Sequence, residues 1–138
     1  MPVPVFVLTT VLRVGGGVLC LAAGAMLLPR ETMVAINLWL GLTPLVDTPL
    51  VLYLARSTSG LYALRGLSYF IAASDPVRFR PFIVFIGATN VAFGVALGVI
   101  GVTAGMPPWW TVLESPFVIG SGILILVLVR WVPRDRGA

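Results

Sequence analysis

The stretch PFIVFIGATNVAFGVALGVIGVT, residues 81–103, decides the fold. It carries no charge and is long enough for a helix to cross a bilayer core, which takes about 20 mostly apolar residues. Gly87, Asn90, Gly94, Gly98, Gly101 and, just beyond, Gly105 recur at steps of three or four. That period gathers them on one helical face. Helices in lipid gain no hydrophobic energy from meeting, so small residues that allow close backbone approach mark a packing surface. The stretch therefore reads as a membrane span with one smooth side.

Working outward, Ala104-Gly105-Met106-Pro107-Pro108 makes a turn, and a second apolar run from about 109 to 129 closes at Arg130. Upstream, a run from about 5 to 28 contains Arg13 and ends at Pro29-Arg30-Glu31. Ala23-Gly24-Ala25 resembles a signal-peptidase site, yet no basic residue precedes the run, so it reads as a span. Met33–Ala73 exceeds one span and falls short of two with a turn. Pro44 and Pro49 interrupt its first half, and each removes a backbone donor and disfavours helix in the residue before it. Thr32–Leu42 is then expected as a short interfacial helix anchored by Trp39, followed by a span over about 49–73. The alternative, a span over 33–54, strands 61–73 as a fragment too short to cross. The expected fold is all-α: one membrane-spanning four-helix bundle over 1–138, with a short interfacial helix between spans 1 and 2.

Composition agrees. Apolar residues make up 59 % of the chain and charged residues 10 %, against about 25 % charged in soluble domains. The net charge of +4 comes from nine arginines, with no lysine or histidine. Arg78, Arg80, Arg130, Arg134 and Arg136 flank apolar runs on one side, where they orient the spans rather than read nucleic acid. Arg30 alone lies opposite. Both termini and the 74–80 loop are expected in the cytoplasm, with a multi-pass chain in the inner (cytoplasmic) membrane. The single Cys20 excludes an intramolecular disulfide, and without histidine there is no imidazole metal site and no Ser-His or Cys-His catalysis. No cofactor, metal or nucleic acid is expected.

Two weaker small-residue faces accompany the first: Gly16, Cys20 and Gly24 in span 1, and Ser59, Gly60, Ala63 and Gly66 in span 2. Ionisable groups inside spans are costly and are functional candidates by default. Arg56, Glu114 and Asp47, with Tyr53 and the pair Trp109-Trp110, could form an outer-leaflet cluster. Its core would be an ion pair between Arg56 and either acid, or a pocket holding an anionic group. Deeper lie Arg65, with Thr58, Tyr62 and Tyr69 at helical spacing, and Arg13. Asn90 falls near mid-membrane. For each there is a plainer role: snorkelling or register-fixing for the arginines, an aromatic belt for the tryptophans, an interhelical hydrogen bond for Asn90.

Tyr-Leu-Ala-Arg-Ser-Thr-Ser-Gly-Leu-Tyr-Ala (53–63), Asp75-Pro76-Val77-Arg78-Phe79-Arg80-Pro81 and Gly105-Met106-Pro107-Pro108-Trp109-Trp110-Thr111-Val112-Leu113-Glu114-Ser115-Pro116 resemble small bacterial four-helix integral membrane proteins. That resemblance implies the fold and no activity. Four-helix multidrug transporters are similar in size but use an acid in the first span, where this chain has Arg13. The leading expectation is a non-enzymatic accessory, scaffold or lipid-binding bundle whose partners are membrane lipid, another membrane protein or its own copies. The alternatives are a carrier of an amphipathic anion using Arg56 and Glu114, and a lipid-modifying enzyme built on Tyr, Asp, Glu and Arg.

Overall fold

The computed structural model describes residues 3–42 and 48–133. Asp47, Pro44, Arg134 and Arg136 lie outside the described residues. Those described are all-helical, with no strand among them. In chain order the elements are α1 (Val3–Cys20), α2 (Ala22–Leu27), α3 (Arg30–Trp39), α4 (Pro49–Ser74), α5 (Arg80–Thr103) and α6 (Pro108–Leu128), then a 3-10 turn over Val129–Trp131.

Proline sets most of the boundaries. Pro49, Pro81 and Pro108 stand in the first turns of α4, α5 and α6, where the missing N–H is an orphan anyway. Pro29 forces Leu28 into extended backbone (ψ 140°) and so ends α2. Glycine closes two helices. Gly41 and Gly105 adopt φ of 69° and 68°, a left-handed backbone that costs other residues about 1–2 kcal/mol. After α5, Gly105 N–H donates to the Val102 carbonyl and Met106 N–H to that of Gly101. After α3, Gly41 and Leu42 bond the Leu38 and Asn37 carbonyls in the same pattern. Gly105 is therefore a helix cap and no part of the packing face, and a Cβ there would meet nothing within 4 Å.

Three helical stretches are long and apolar enough to cross a membrane: Val3–Leu27, Arg80–Thr103 and Pro108–Trp131. The expected span over 49–73 is a helix, α4, of 26 residues, but it is not one of the three. It is less apolar than the others because Arg56, Ser57, Thr58, Ser59, Tyr62, Arg65 and Ser68 interrupt it. Where a helix over 32–42 was expected, α3 spans Arg30–Trp39.

The chain divides into two compact units, Met1–Arg13 with Ile71–Ala138, and Val14–Phe70. In the first, Val5, Leu8 and Leu12 of α1 are buried at helical spacing, as are Ala72, Ala73, Ile83, Ile86, Ile125, Val129 and Val132. Its main feature is the antiparallel pair α5–α6. A Cβ built on Gly122 would lie 2.6 Å from the Gly87 carbonyl oxygen; one on Gly94 would lie 2.9 Å from the Ile119 nitrogen. Gly98 and Gly101 lie against the Ser115 and Thr111 side chains, at 2.9 and 2.7 Å by the same construction. Backbone thus approaches backbone along the predicted face.

The second unit repeats the device. A Cβ on Gly66 would meet the Gly16 carbonyl oxygen at 2.7 Å and the Cys20 sulfur at 2.7 Å. Cys20 Sγ donates to the Ala63 carbonyl (3.7 Å), and a Cβ on Gly60 would meet Met26 Sδ at 3.2 Å. As residues 16–28 ascend, their partners on α4 descend, so the two stretches run antiparallel. Gly24, expected in the face, is open, with nothing within 4 Å of a Cβ.

Candidate functional site

Within α6, steps of one, three and four place Trp109, Trp110, Leu113, Glu114 and Phe117 on one side of the helix. They line an open groove of about 300 Å³. Its order comes from two contacts. Trp110 Nε1 donates a 2.7 Å hydrogen bond to Glu114 Oε2, one helical turn away. The Trp109 and Trp110 rings meet edge to face, with centroids 5.5 Å apart and planes at 73°, a favoured aromatic geometry. Glu114 is the one acid in the three apolar stretches. It lies roughly 9 Å along the helix from Pro108 at 1.5 Å per residue.

Of the expected set Arg56, Glu114, Asp47, Tyr53 and Trp110, the structure brings together Trp110 and Glu114. Arg56 and Tyr53 belong to the Val14–Phe70 unit, and both are exposed. Arg56 Nη2 donates to the Leu28 carbonyl at 3.4 Å. That carbonyl closes α2, and a cation at a helix C-terminus satisfies an orphan acceptor and complements the dipole. Arg56 thus has a structural partner that spacing could not reveal, because a backbone carbonyl has no sequence signature.

Arg13 is exposed and Arg65 half-buried; of the tyrosines on the Arg65 face, Tyr69 is buried and Tyr62 half-buried. Asn90 is only 5 % exposed, and its Nδ2 donates to Ser121 Oγ across α5–α6 at 3.2 Å. This is the interhelical bond expected of it. Ser115 makes a second such bridge, its hydroxyl donating to the Gly94 carbonyl at 2.8 Å. Sequence reasoning gave neither serine a role. Their spacing opposite the glycine face carries the signal only once the two helices are known to pair.

Leu113 and Phe117 were also missed, although each lies one turn beyond a named residue. The buried Thr111 hydroxyl is without a hydrogen-bond partner among the described residues. No group of three or more His, Cys, Asp or Glu side chains that could hold a metal occurs among them.

Chemically, the groove offers two indole faces, a phenyl ring, an isobutyl group and one carboxylate with a single oxygen tied to an indole. It holds no thiol, imidazole or hydroxyl nucleophile. No family model, curated protein or solved structure matches the chain.

Proposed function

We propose that the chain is a multi-pass protein of the inner (cytoplasmic) membrane, with a non-enzymatic accessory or scaffold role in which it holds lipid, another membrane protein or further copies of itself. In this reading α1–α2, α4, α5 and α6 cross the bilayer, α3 lies at the outer interface, and both ends and the 75–79 turn are cytosolic. The observation that carries it is the outward face of the apolar helices. Val95, Val99 and Val102 on α5 and Val112, Leu113 and Phe117 on α6 are all more than half exposed. Large contiguous apolar surface needs lipid or a partner to cover it.

Threonine hydroxyls of α1 and α5 fit the same reading, although that of Thr111 in α6 does not. In a bilayer a polar group must be satisfied within the protein. Thr9 and Thr10 donate to the carbonyls four residues back, as do Thr89 and Thr103 on α5. The arginines of the 78–80 turn and Arg130 give the cytosolic bias.

Photo-crosslinking in native membranes, from a benzophenone side chain at Val99, tests the role. A discrete adduct with lipid, with a second copy or with one partner protein is expected. A chain that stays wholly monomeric and retains no lipid would contradict it.

A further inference from the structure

We infer that the groove of Trp109, Trp110, Leu113, Glu114 and Phe117 is a binding site for an organic ammonium cation carrying an apolar tail. The head-group chemistry follows from the two indoles and the carboxylate. An aromatic face attracts an ammonium group through its quadrupole, tryptophan most strongly, and the attraction grows where water is excluded. Trp109 and Trp110, at 73° to one another, form two walls of a corner. Trp109 is 45 % exposed, so its ring remains accessible.

Glu114 is the one acidic residue of the lining and stands one turn beyond Trp110. The Trp110 indole holds Oε2, fixing the carboxylate's orientation and leaving Oε1 without a hydrogen bond among the described residues. None of the described residues that line the groove is basic, so a cationic head would meet no like charge there.

The tail follows from the direction of the groove. Leu113 and Phe117 are 65 % and 75 % exposed and lie one turn apart, about 6 Å along the helix, leading away from the tryptophans toward the middle of α6. A cationic head at Trp109–Trp110–Glu114 therefore places its tail along an apolar track. That tail placement rests on the membrane reading above; the head-group site does not.

An anion is the obvious rival, because helix N-termini favour negative charge. Here Pro108 takes the first helical position and has no N–H to offer. Glu114 stands beyond the first turn, where the dipole has faded, and would repel an anion. A zwitterionic lipid head sets its phosphate beside that same carboxylate, so the site favours a net cation.

The test uses the full chain in maltoside micelles with Trp39→Phe and Trp131→Phe, so that fluorescence reports Trp109 and Trp110 alone. Three amphiphiles with one tail are titrated: dodecyltrimethylammonium, dodecylphosphocholine and octaethylene glycol dodecyl ether. A saturable change with the ammonium compound is expected, at least about tenfold tighter than with the other two. Glu114→Gln, which can still accept the indole hydrogen bond, should weaken it about tenfold while circular dichroism stays helical.

Equal binding of the neutral ether would overturn the site, since only the tail would then be partitioning. Equal binding of the phosphocholine would overturn the net-cation assignment. So would a Glu114→Gln variant that binds unchanged. A chain that stayed folded in buffer without micelles would sink the membrane reading, while the titration would still decide the head-group site.

Discussion

Gly122→Val is expected to be the most damaging single substitution in the α5–α6 pair, destabilising it by about 2–3 kcal/mol, the upper part of the range for overpacking a close contact. A first side-chain carbon at 122 would sit 2.6 Å from the Gly87 carbonyl oxygen, 2.8 Å from Val91 Cγ2 and 2.9 Å from Asn90 Cβ. The nearest of these is backbone, which cannot rotate aside, so the helices must separate. Separation would stretch the Asn90–Ser121 and Ser115–Gly94 bridges as well, and interhelical hydrogen bonds in membranes contribute roughly 0.6 kcal/mol each. Gly120→Ala is the control: nothing lies within 4 Å of its added carbon, and alanine gains about 1 kcal/mol of helix propensity over glycine in peptides. Unfolding by dodecyl sulfate in mixed micelles, followed by circular dichroism, checks both. Gly122→Val should shift the midpoint strongly downward and Gly120→Ala should leave it unchanged or raise it.

Gly66→Val should have a comparable effect, about 2–3 kcal/mol, in the Val14–Phe70 unit. The added carbon meets the Gly16 carbonyl oxygen at 2.7 Å, the Cys20 nitrogen at 2.9 Å and Cys20 Sγ at 2.7 Å. The sulfur could swing away, but the two backbone atoms could not. Because Cys20 Sγ donates to the Ala63 carbonyl one turn earlier, displacement there should expose the thiol. Maleimide labelling of Cys20 in micelles is the direct readout, with faster modification expected in Gly66→Val than in the native sequence. Gly24→Ala, with open space around it, should leave the labelling rate alone. An unchanged rate in Gly66→Val would mean that the Gly16–Gly66 approach does not hold these helices.

Local signals predicted these contacts well. Apolar length gave α5 and α6, and glycine spacing gave the face at 87, 94, 98 and 101 because the helical period fixes which residues share a side. Proline gave the starts of α4, α5 and α6. The same spacing wrongly enrolled Gly105 and Gly24. A period describes a face but does not say where a helix ends or where its partner diverges. Gly105 is a cap because the chain reverses there, and that follows from the Pro107-Pro108 pair as much as from its own identity.

The candidate site was harder to read because its decisive partners are either backbone or one turn away on the same helix. Arg56 was matched by charge with Glu114 or Asp47, and Asp47 lies outside the described residues; the partner seen for Arg56 among those described is the Leu28 carbonyl, present there because Pro29 ends α2. Glu114 was matched by charge too, but its observed partner is the indole of Trp110. That contact was open to sequence reasoning, since residues four apart on a helix are neighbours. Charge pairing drew attention to partners distant in sequence, whereas the geometry supplied a local one.

Four bilayer crossings with the 75–79 turn in the cytosol remain the central claim, and single-cysteine accessibility tests it most directly. In a Cys20→Ala background, Ala104→Cys and Ser74→Cys place one thiol each beside the α5–α6 turn and at the end of α4, both at exposed positions. Spheroplasts are treated with a charged, impermeant maleimide before and after lysis. The account predicts that both variants sediment with membranes, that position 104 is labelled from outside, and that position 74 reacts only after lysis. Recovery of the chain in the soluble fraction, or equal labelling of both positions in intact spheroplasts, would contradict it.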